Sequence, residues 1–187
     1  MRRAGYVLTG GRSSRMGRDK AMLPYHGSVL GDWVARAVSV AAGRVALVGG
    51  SGAIASLGYP VLPDLYPGEG PLGGILTVLQ HDAADWNLIV ACDMPEITVS
   101  LLAVLLETAE REDVDAVIPA GPSGRWEPLC AVYHRRSRAS LEKSFAAGTR
   151  KVTEACAGLR VAVPRFAEIA PFQNVNTPED WAGYAAR

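Results

Sequence analysis

The stretch Asn87-Leu88-Ile89-Val90-Ala91 is a bare apolar run with no alternation of polar and apolar positions. A strand of that kind belongs in a sheet buried on both faces, which in practice means a largely parallel sheet covered by helices. Ala4-Gly5-Tyr6-Val7-Leu8-Thr9 reads the same way, and further strands are predicted at 44–48, 61–62, 116–119, 129–133 and 160–163. Between them lie segments with the three- and four-residue apolar spacing or the length of helices, at 29–42, 72–81, 98–111, 137–147 and 151–157. Pro71 suits the first turn of the second of these, and Thr177-Pro178-Glu179-Asp180 opens a terminal helix as a capping box with proline at its first position. Strands bounded by helices imply right-handed crossovers, hence a three-layer α/β fold around a mostly parallel sheet. With 187 residues and no repeat, low-complexity segment or linker, residues 1–187 are expected to form a single domain.

Composition excludes more than it assigns. Nineteen basic and 19 acidic residues give a formal net charge of +0, so nothing global draws the chain to nucleic acid or to an anionic membrane. Cys92, Cys130 and Cys156 are odd in number, far apart and without CxxC spacing. They are expected to be small core hydrophobes of a protein in a reducing compartment, not a disulfide framework or zinc site. The first apolar run is too short for a signal peptide and no run reaches membrane-spanning length, so the expected location is cytoplasmic.

In parallel sheets of this type ligands sit beyond the carboxyl ends of the strands, and four loops there carry chemistry. The first, Gly10-Gly11-Arg12-Ser13-Ser14-Arg15-Met16-Gly17-Arg18-Asp19-Lys20, matches neither GxGxxG nor GxxxxGK[ST]. It keeps their physics: glycines let backbone N–H groups converge on an anion while Arg15 and Lys20 neutralise phosphate charge. In the second, Val90-Ala91-Cys92-Asp93-Met94-Pro95, a carboxylate at a strand end suits Mg²⁺, which takes one or two protein oxygens plus phosphates and water; a turn-forming role is the alternative. The third, 64–74, has glycines and prolines that let a planar base approach the backbone. Gly73 and Gly74 lie in the first turns of a helix, where each costs about 1 kcal/mol against alanine, and close approach of a ligand to the backbone would compensate. The fourth, Asn174-Val175-Asn176, offers amides that either form turns or bind metal or an oxyanion, with Asn176 the candidate second metal ligand. His26, His81 and His134 are scattered without a triad.

The stretches "GGRSSRMGRDK", "DLYPGEGPLGG", "CDMP" and "NVNTPED", in this order and spanning 8–180, resemble the molybdenum cofactor guanylyltransferases within the nucleotidyltransferase superfamily. The resemblance implies a Rossmann-like α/β fold and transfer of GMP from GTP to molybdopterin or Mo-molybdopterin, forming the dinucleotide cofactor and pyrophosphate. It implies Leu8, Gly10 and Gly11 at the nucleotide, Arg15 and Lys20 at the triphosphate, Asp64 near the guanosine and Asp93 on Mg²⁺. Asn174 and Asn176 fall near the acceptor or metal, and cofactor-carrying proteins are implied as partners. Nucleotidyl transfer to an anionic phosphate needs positioning and charge neutralisation and no general base. The chain departs from the family pattern at Thr9, where relatives usually carry alanine, and at Val48-Gly49-Gly50, where many have an asparagine. CTP or a sugar phosphate acceptor therefore stays open, as does a non-catalytic nucleotide-binding protein. For the acceptor pocket, Trp126 and the Arg150-Lys151 pair are candidates, with a core-covering and a solvated role as their respective alternatives.

Overall fold

A computed structural model describes residues 1–10, 19–50, 52–81 and 84–185. The elements follow in chain order. β1 (Arg3–Leu8) leads to a small hairpin of β2 (Pro24–Tyr25) and β3 (Ser28–Val29), then α1 (Leu30–Ala42) and β4 (Val45–Val48). β5 (Val61–Leu62), α2 (Pro71–Gln80), β6 (Trp86–Ala91) and α3 (Val99–Arg111) come next. β7 (Ala116–Val117), β8 (Cys130–His134), α4 (Arg138–Ala146), α5 (Val152–Ala155), β9 (Val161–Ala162) and α6 (Pro178–Ala185) complete the described residues.

The described residues form a seven-stranded sheet in the order β5-β4-β1-β6-β8-β7-β9. Every neighbouring pair is parallel except the two made by β8, which runs against both β6 and β7. The chain builds outward from β1 through β4 to β5, then returns to β6 on the other side of β1. That reversal puts the topological switch point between β1 and β6, where the Cys92 N–H donates to the Leu8 carbonyl at 3.1 Å.

Two apolar layers explain the bare runs. Val7, Leu88, Val90, Cys130 and Val132 face one side, packed with Leu30, Val34 and Val38 of α1 and Leu101, Leu102 and Leu105 of α3. Tyr6, Leu8, Ile89, Ala131 and Tyr133 face the other, with Leu72, Ile75 and Leu76 of α2 and Leu141 of α4. Successive residues of β1, β6 and β8 thus meet opposite helical layers, and a polar face would have nowhere to go. All three cysteines are buried, and burial pushes their thiols up, that of Cys156 to about 11. They pack as small apolar residues, as their spacing predicts. Among the described residues no helix is long and apolar enough to cross a membrane.

The hairpin is an addition to the elements read from the sequence. His26 (φ 42°) and Gly27 (φ 75°) lie in the left-handed region, the conformation that lets a two-residue turn match the twist of its flanking strands.

Candidate active site

Three segments distant in sequence meet at the switch point. Lys20 opens a single 3-10 turn, Lys20–Met22, whose start is capped by Asp19 Oδ1 accepting the Ala21 N–H at 3.0 Å. Asp93 follows β6. Its carbonyl accepts the N–H of the fully buried Val175 at 2.9 Å, which places Asn174 and Asn176 on either side of that anchor. The Lys20 ammonium donates to Asp93 Oδ2 at 3.0 Å and to Asn176 Oδ1 at 2.9 Å. Beyond Asn176, Asp180 Oδ2 accepts the N–H groups of Asn176 and Thr177, each at 2.9 Å, while Thr177 Oγ1 accepts the Asp180 N–H at 3.1 Å. This is the predicted capping box, and its backbone donors hold the Asp180 carboxyl below the usual carboxylate range.

The cluster is sheltered from water: the Lys20 and Asp93 side chains are 17% and 16% exposed. Asp93 Oδ1 and Asn174 Oδ1 are both buried without a hydrogen-bond partner among the described residues. Unpartnered buried oxygens cost free energy unless something cationic or protic meets them. Hard oxygens of this type suit Mg²⁺, so the residues present fit the metal that the sequence implies. Of the two amides, Asn174 presents the unpartnered oxygen, whereas Asn176 Oδ1, the second ligand expected from the sequence, receives the Lys20 ammonium. No group of three or more His, Cys, Asp or Glu that could hold a metal occurs among the described residues; Mg²⁺ is commonly held by one or two protein oxygens with substrate phosphates and water. Cys92 offers no thiolate, because burial and then the charges of Asp93 and Asp19 push it up.

On the other side of β1 the strand ends form a second, backbone-rich surface. Leu8 is buried with its side chain against α2, and the Thr9 and Gly10 N–H groups donate to the Val48 carbonyl at 3.0 and 3.2 Å. Asp64 is half-buried, and its Oδ1 accepts the Tyr66 N–H at 2.9 Å and lies 3.1 Å from the Thr77 hydroxyl. Thr77, a polar residue within the apolar run Ile75–Leu79 of α2, is the orienting group that the sequence reading missed, and that exception was its signal. Gly11 and Arg15 lie outside the described residues.

Gly73 and Gly74 serve a different neighbour from the one expected. A Cβ on Gly73 would stand 2.8 Å from Tyr66 Cβ, and one on Gly74 3.2 Å from Leu8 Cδ2. The close approach that offsets their helix cost is made by the chain itself, where α2 packs on β1 and on the 64–70 loop. Trp126 is half-buried against the α2 layer and Lys151 pairs with Glu154 at 3.1 Å. Arg150 donates to Glu69 at 2.6 Å with its guanidinium 4.0 Å over the Phe145 ring. Both acceptor-pocket candidates are thus engaged within the chain.

Comparison with known proteins identifies the family. The family model described as the MobA-like NTP transferase domain matches residues 5–161. A relative from Clostridium perfringens named "Probable molybdenum cofactor guanylyltransferase" is 31% identical over 191 residues, covering 97% of this chain and 95% of its own. A Carboxydothermus hydrogenoformans protein of the same name is 30% identical over 94% of this chain and 91% of its own. Among solved structures, molybdopterin-guanine dinucleotide biosynthesis protein A from Archaeoglobus fulgidus aligns with a TM-score of 0.81 at 27% identity, covering 97% of this chain and 96% of that one. The 2-C-methyl-D-erythritol 4-phosphate cytidylyltransferase of Thermus thermophilus shares the fold with a TM-score of 0.72 at 19% identity, over 97% and 96% of the two chains. The family model spans most of the chain and the relatives cover nearly all of it, so the chain belongs to the MobA-like NTP transferase family.

Proposed function

We propose that the chain transfers GMP from GTP to molybdopterin or Mo-molybdopterin with Mg²⁺, releasing pyrophosphate. The observation that carries this reading is the convergence of Lys20 and Asp93, from the loops after β1 and β6, within 3.0 Å of each other. Two anionic reactants repel, and what such a reaction needs is a place where their charge is offset and their approach is in line. An acceptor phosphate oxygen attacks the α-phosphorus, a new P–O bond forms, and the bond to the bridging oxygen breaks as pyrophosphate leaves. In this reading Lys20 leaves its carboxylate to neutralise the triphosphate, with Arg15 as a second cation and Gly10 and Gly11 letting the phosphates approach the backbone closely. Leu8 supports the nucleotide end of β1 and Asp64 lies beside the guanosine. Mg²⁺, held by Asp93 with Asn174 or Asn176, supplies Lewis-acid neutralisation of the phosphate oxygens when bound. The names carried by the relatives support guanine as the base and molybdopterin as the acceptor.

The test is pyrophosphate release by purified protein given Mg²⁺, molybdopterin and either GTP or CTP. Release with GTP and not with CTP is expected. Release with CTP alone overturns the guanylyl assignment, and release with neither overturns the transferase reading.

A further inference from the structure

Three strand ends meet on the β4 side of the switch point with almost no side chain between them. Gly10 lies beyond β1, Gly49 and Gly50 beyond β4, and Asp64 beyond β5. A Cβ on Gly10 would stand 3.3 Å from the Gly50 nitrogen, and one on Gly49 3.2 Å from Gly10 Cα and 3.5 Å from Asp64 Cβ. Gly49 and Gly50 have φ of 71° and 84°, which side-chain-bearing residues rarely adopt. Gly10 and Gly50 are exposed, so the convergence presents bare backbone to solvent beside the Asp64 carboxylate.

Beneath that surface sits Thr9, one of few buried polar residues of the chain. Its Oγ1 lies 3.0 Å from the Val48 carbonyl and 3.1 Å from the Gly49 carbonyl, so one hydroxyl hydrogen bridges both peptide units leading into the turn. A Cβ on Gly50 would stand 2.7 Å from that same Oγ1 and 2.9 Å from Ile54 Cδ1. Thr9 and Gly50 therefore fit only as a pair: the hydroxyl fixes the turn, and it fills the space that a side chain at position 50 would need.

We propose that Thr9 is a positioning residue that holds the Gly49–Gly50 turn as a side-chain-free floor for the heterocyclic base of the nucleotide, with Asp64 at its rim. The inference rests on the nucleotidyl-transfer reading above. Peptide planes give a flat ring a contact area, so the base rests against backbone and not against a side chain from β4.

Binding titrations of GTP and of inorganic tripolyphosphate, which has the charge of the nucleotide's tail and no base, separate this role from a general structural one. Thr9→Ser keeps the hydroxyl and is expected to bind both as the unaltered protein does. Thr9→Val removes it and is expected to weaken GTP about five- to tenfold, the effect of one lost hydrogen bond, with tripolyphosphate unchanged. In turnover the same variant raises the KM for GTP and leaves kcat nearly unaltered. Should Thr9→Val fail to fold, Thr9→Ala, which lacks the hydroxyl without adding a methyl in its place, reads the same comparison. Equal weakening of both ligands, no weakening of either, or a fall in kcat at constant KM overturns the role of Thr9. An unaltered protein that binds GTP no tighter than tripolyphosphate overturns the floor itself. Binding of neither ligand brings down the nucleotidyl-transfer reading as well.

Discussion

The Lys20 ammonium is 3.0 Å from Asp93 Oδ2, across 73 residues of sequence, and it also donates to Asn176 Oδ1 at 2.9 Å. This cation stands where the proposed chemistry places a second one. A lysine that neutralises Asp93 and also serves the triphosphate must exchange partners during the reaction, and the consequences are measurable.

Asp93→Asn keeps the shape and a carbonyl oxygen for Lys20 but removes the charge. Pyrophosphate release is expected to fall about 10²- to 10³-fold, the scale of losing one preorganised electrostatic group. The melting temperature should move less than turnover does, since the amide oxygen keeps the hydrogen bond from Lys20 in place of the ion pair. Thermal melts beside steady-state kinetics check both halves, and retained turnover would remove Asp93 from the machinery.

Lys20→Met separates the two duties of the lysine by the sign of its effects. Without nucleotide, the variant no longer sets an ammonium against an incoming divalent ion, so Mn²⁺ followed by paramagnetic resonance should bind about tenfold more tightly or better. GTP affinity and turnover should both fall. A misfolded site does not gain metal affinity, so weaker or unaltered Mn²⁺ binding would refute the competition.

The two asparagines are expected to differ despite their near-adjacency. Asn174 Oδ1 is buried and without a partner among the described residues, whereas Asn176 Oδ1 receives Lys20. Asn174→Ala should raise the Mg²⁺ concentration needed for half-maximal rate, with little change in the KM for GTP at saturating metal. Asn176→Ala should do the reverse, because it loosens the lysine. Metal and nucleotide titrations of the rate distinguish them, and identical profiles would contradict the division.

What the sequence made legible follows the physics of burial. The runs 4–9 and 87–91 declare a sheet covered on both sides because Val7, Leu88 and Val90 meet one helical layer while Tyr6, Leu8 and Ile89 meet the other. The switch-point rule then brings Lys20 and Asp93 into one neighbourhood before any coordinates are known. The β2–β3 hairpin was not legible, because two-residue strands carry no periodicity and His26 in a left-handed conformation has weak propensity to announce it. The seat of Thr9 Oγ1 against the Val48 and Gly49 carbonyls, in the space a side chain at Gly50 would need, was beyond reach for another reason. It depends on the register of β1 against β4, so Thr9 and Gly50 each look like an isolated oddity in one dimension. Gly73 and Gly74 misled because a glycine records close approach without naming what approaches.

That ambiguity gives a stability prediction. Gly73→Ala would set a methyl 2.8 Å from Tyr66 Cβ, a rigid neighbour next to the backbone, while at Gly74 the nearest atom, at 3.2 Å, is the movable end of Leu8. Gly73→Ala should lose about 1–2 kcal/mol net, overpacking outweighing the gain in helix propensity. Gly74→Ala should be close to neutral. Urea unfolding of the two variants checks the order, and an equal or reversed ranking would mean that α2 can shift off the loop.

Acid should expose a buried carboxylate at the start of α1. Asp32 is 8% exposed; Ser28 donates to its Oδ2, the Tyr59 hydroxyl to Oδ1 at 2.9 Å, and Arg36 lies 2.7 Å away. Burial alone would raise its pKa, but the hydrogen bonds from Ser28, Arg36 and Tyr59 hold it below 3.8. A carboxyl depressed in the folded state contributes its stability above the unfolded value and loses it as the pH falls through the folded one. Asp32→Asn is expected to lose about 2 kcal/mol at neutral pH, the scale of hydrogen bonds to a buried charge. The gap to the unaltered protein should close as the pH is taken through and below 3.8, because only the unaltered protein has that proton to bind. Urea unfolding of both proteins along this pH series measures the gap. A gap that stays constant into acid would mean that the Asp32 charge contributes nothing, and that its hydrogen bonds act through shape alone.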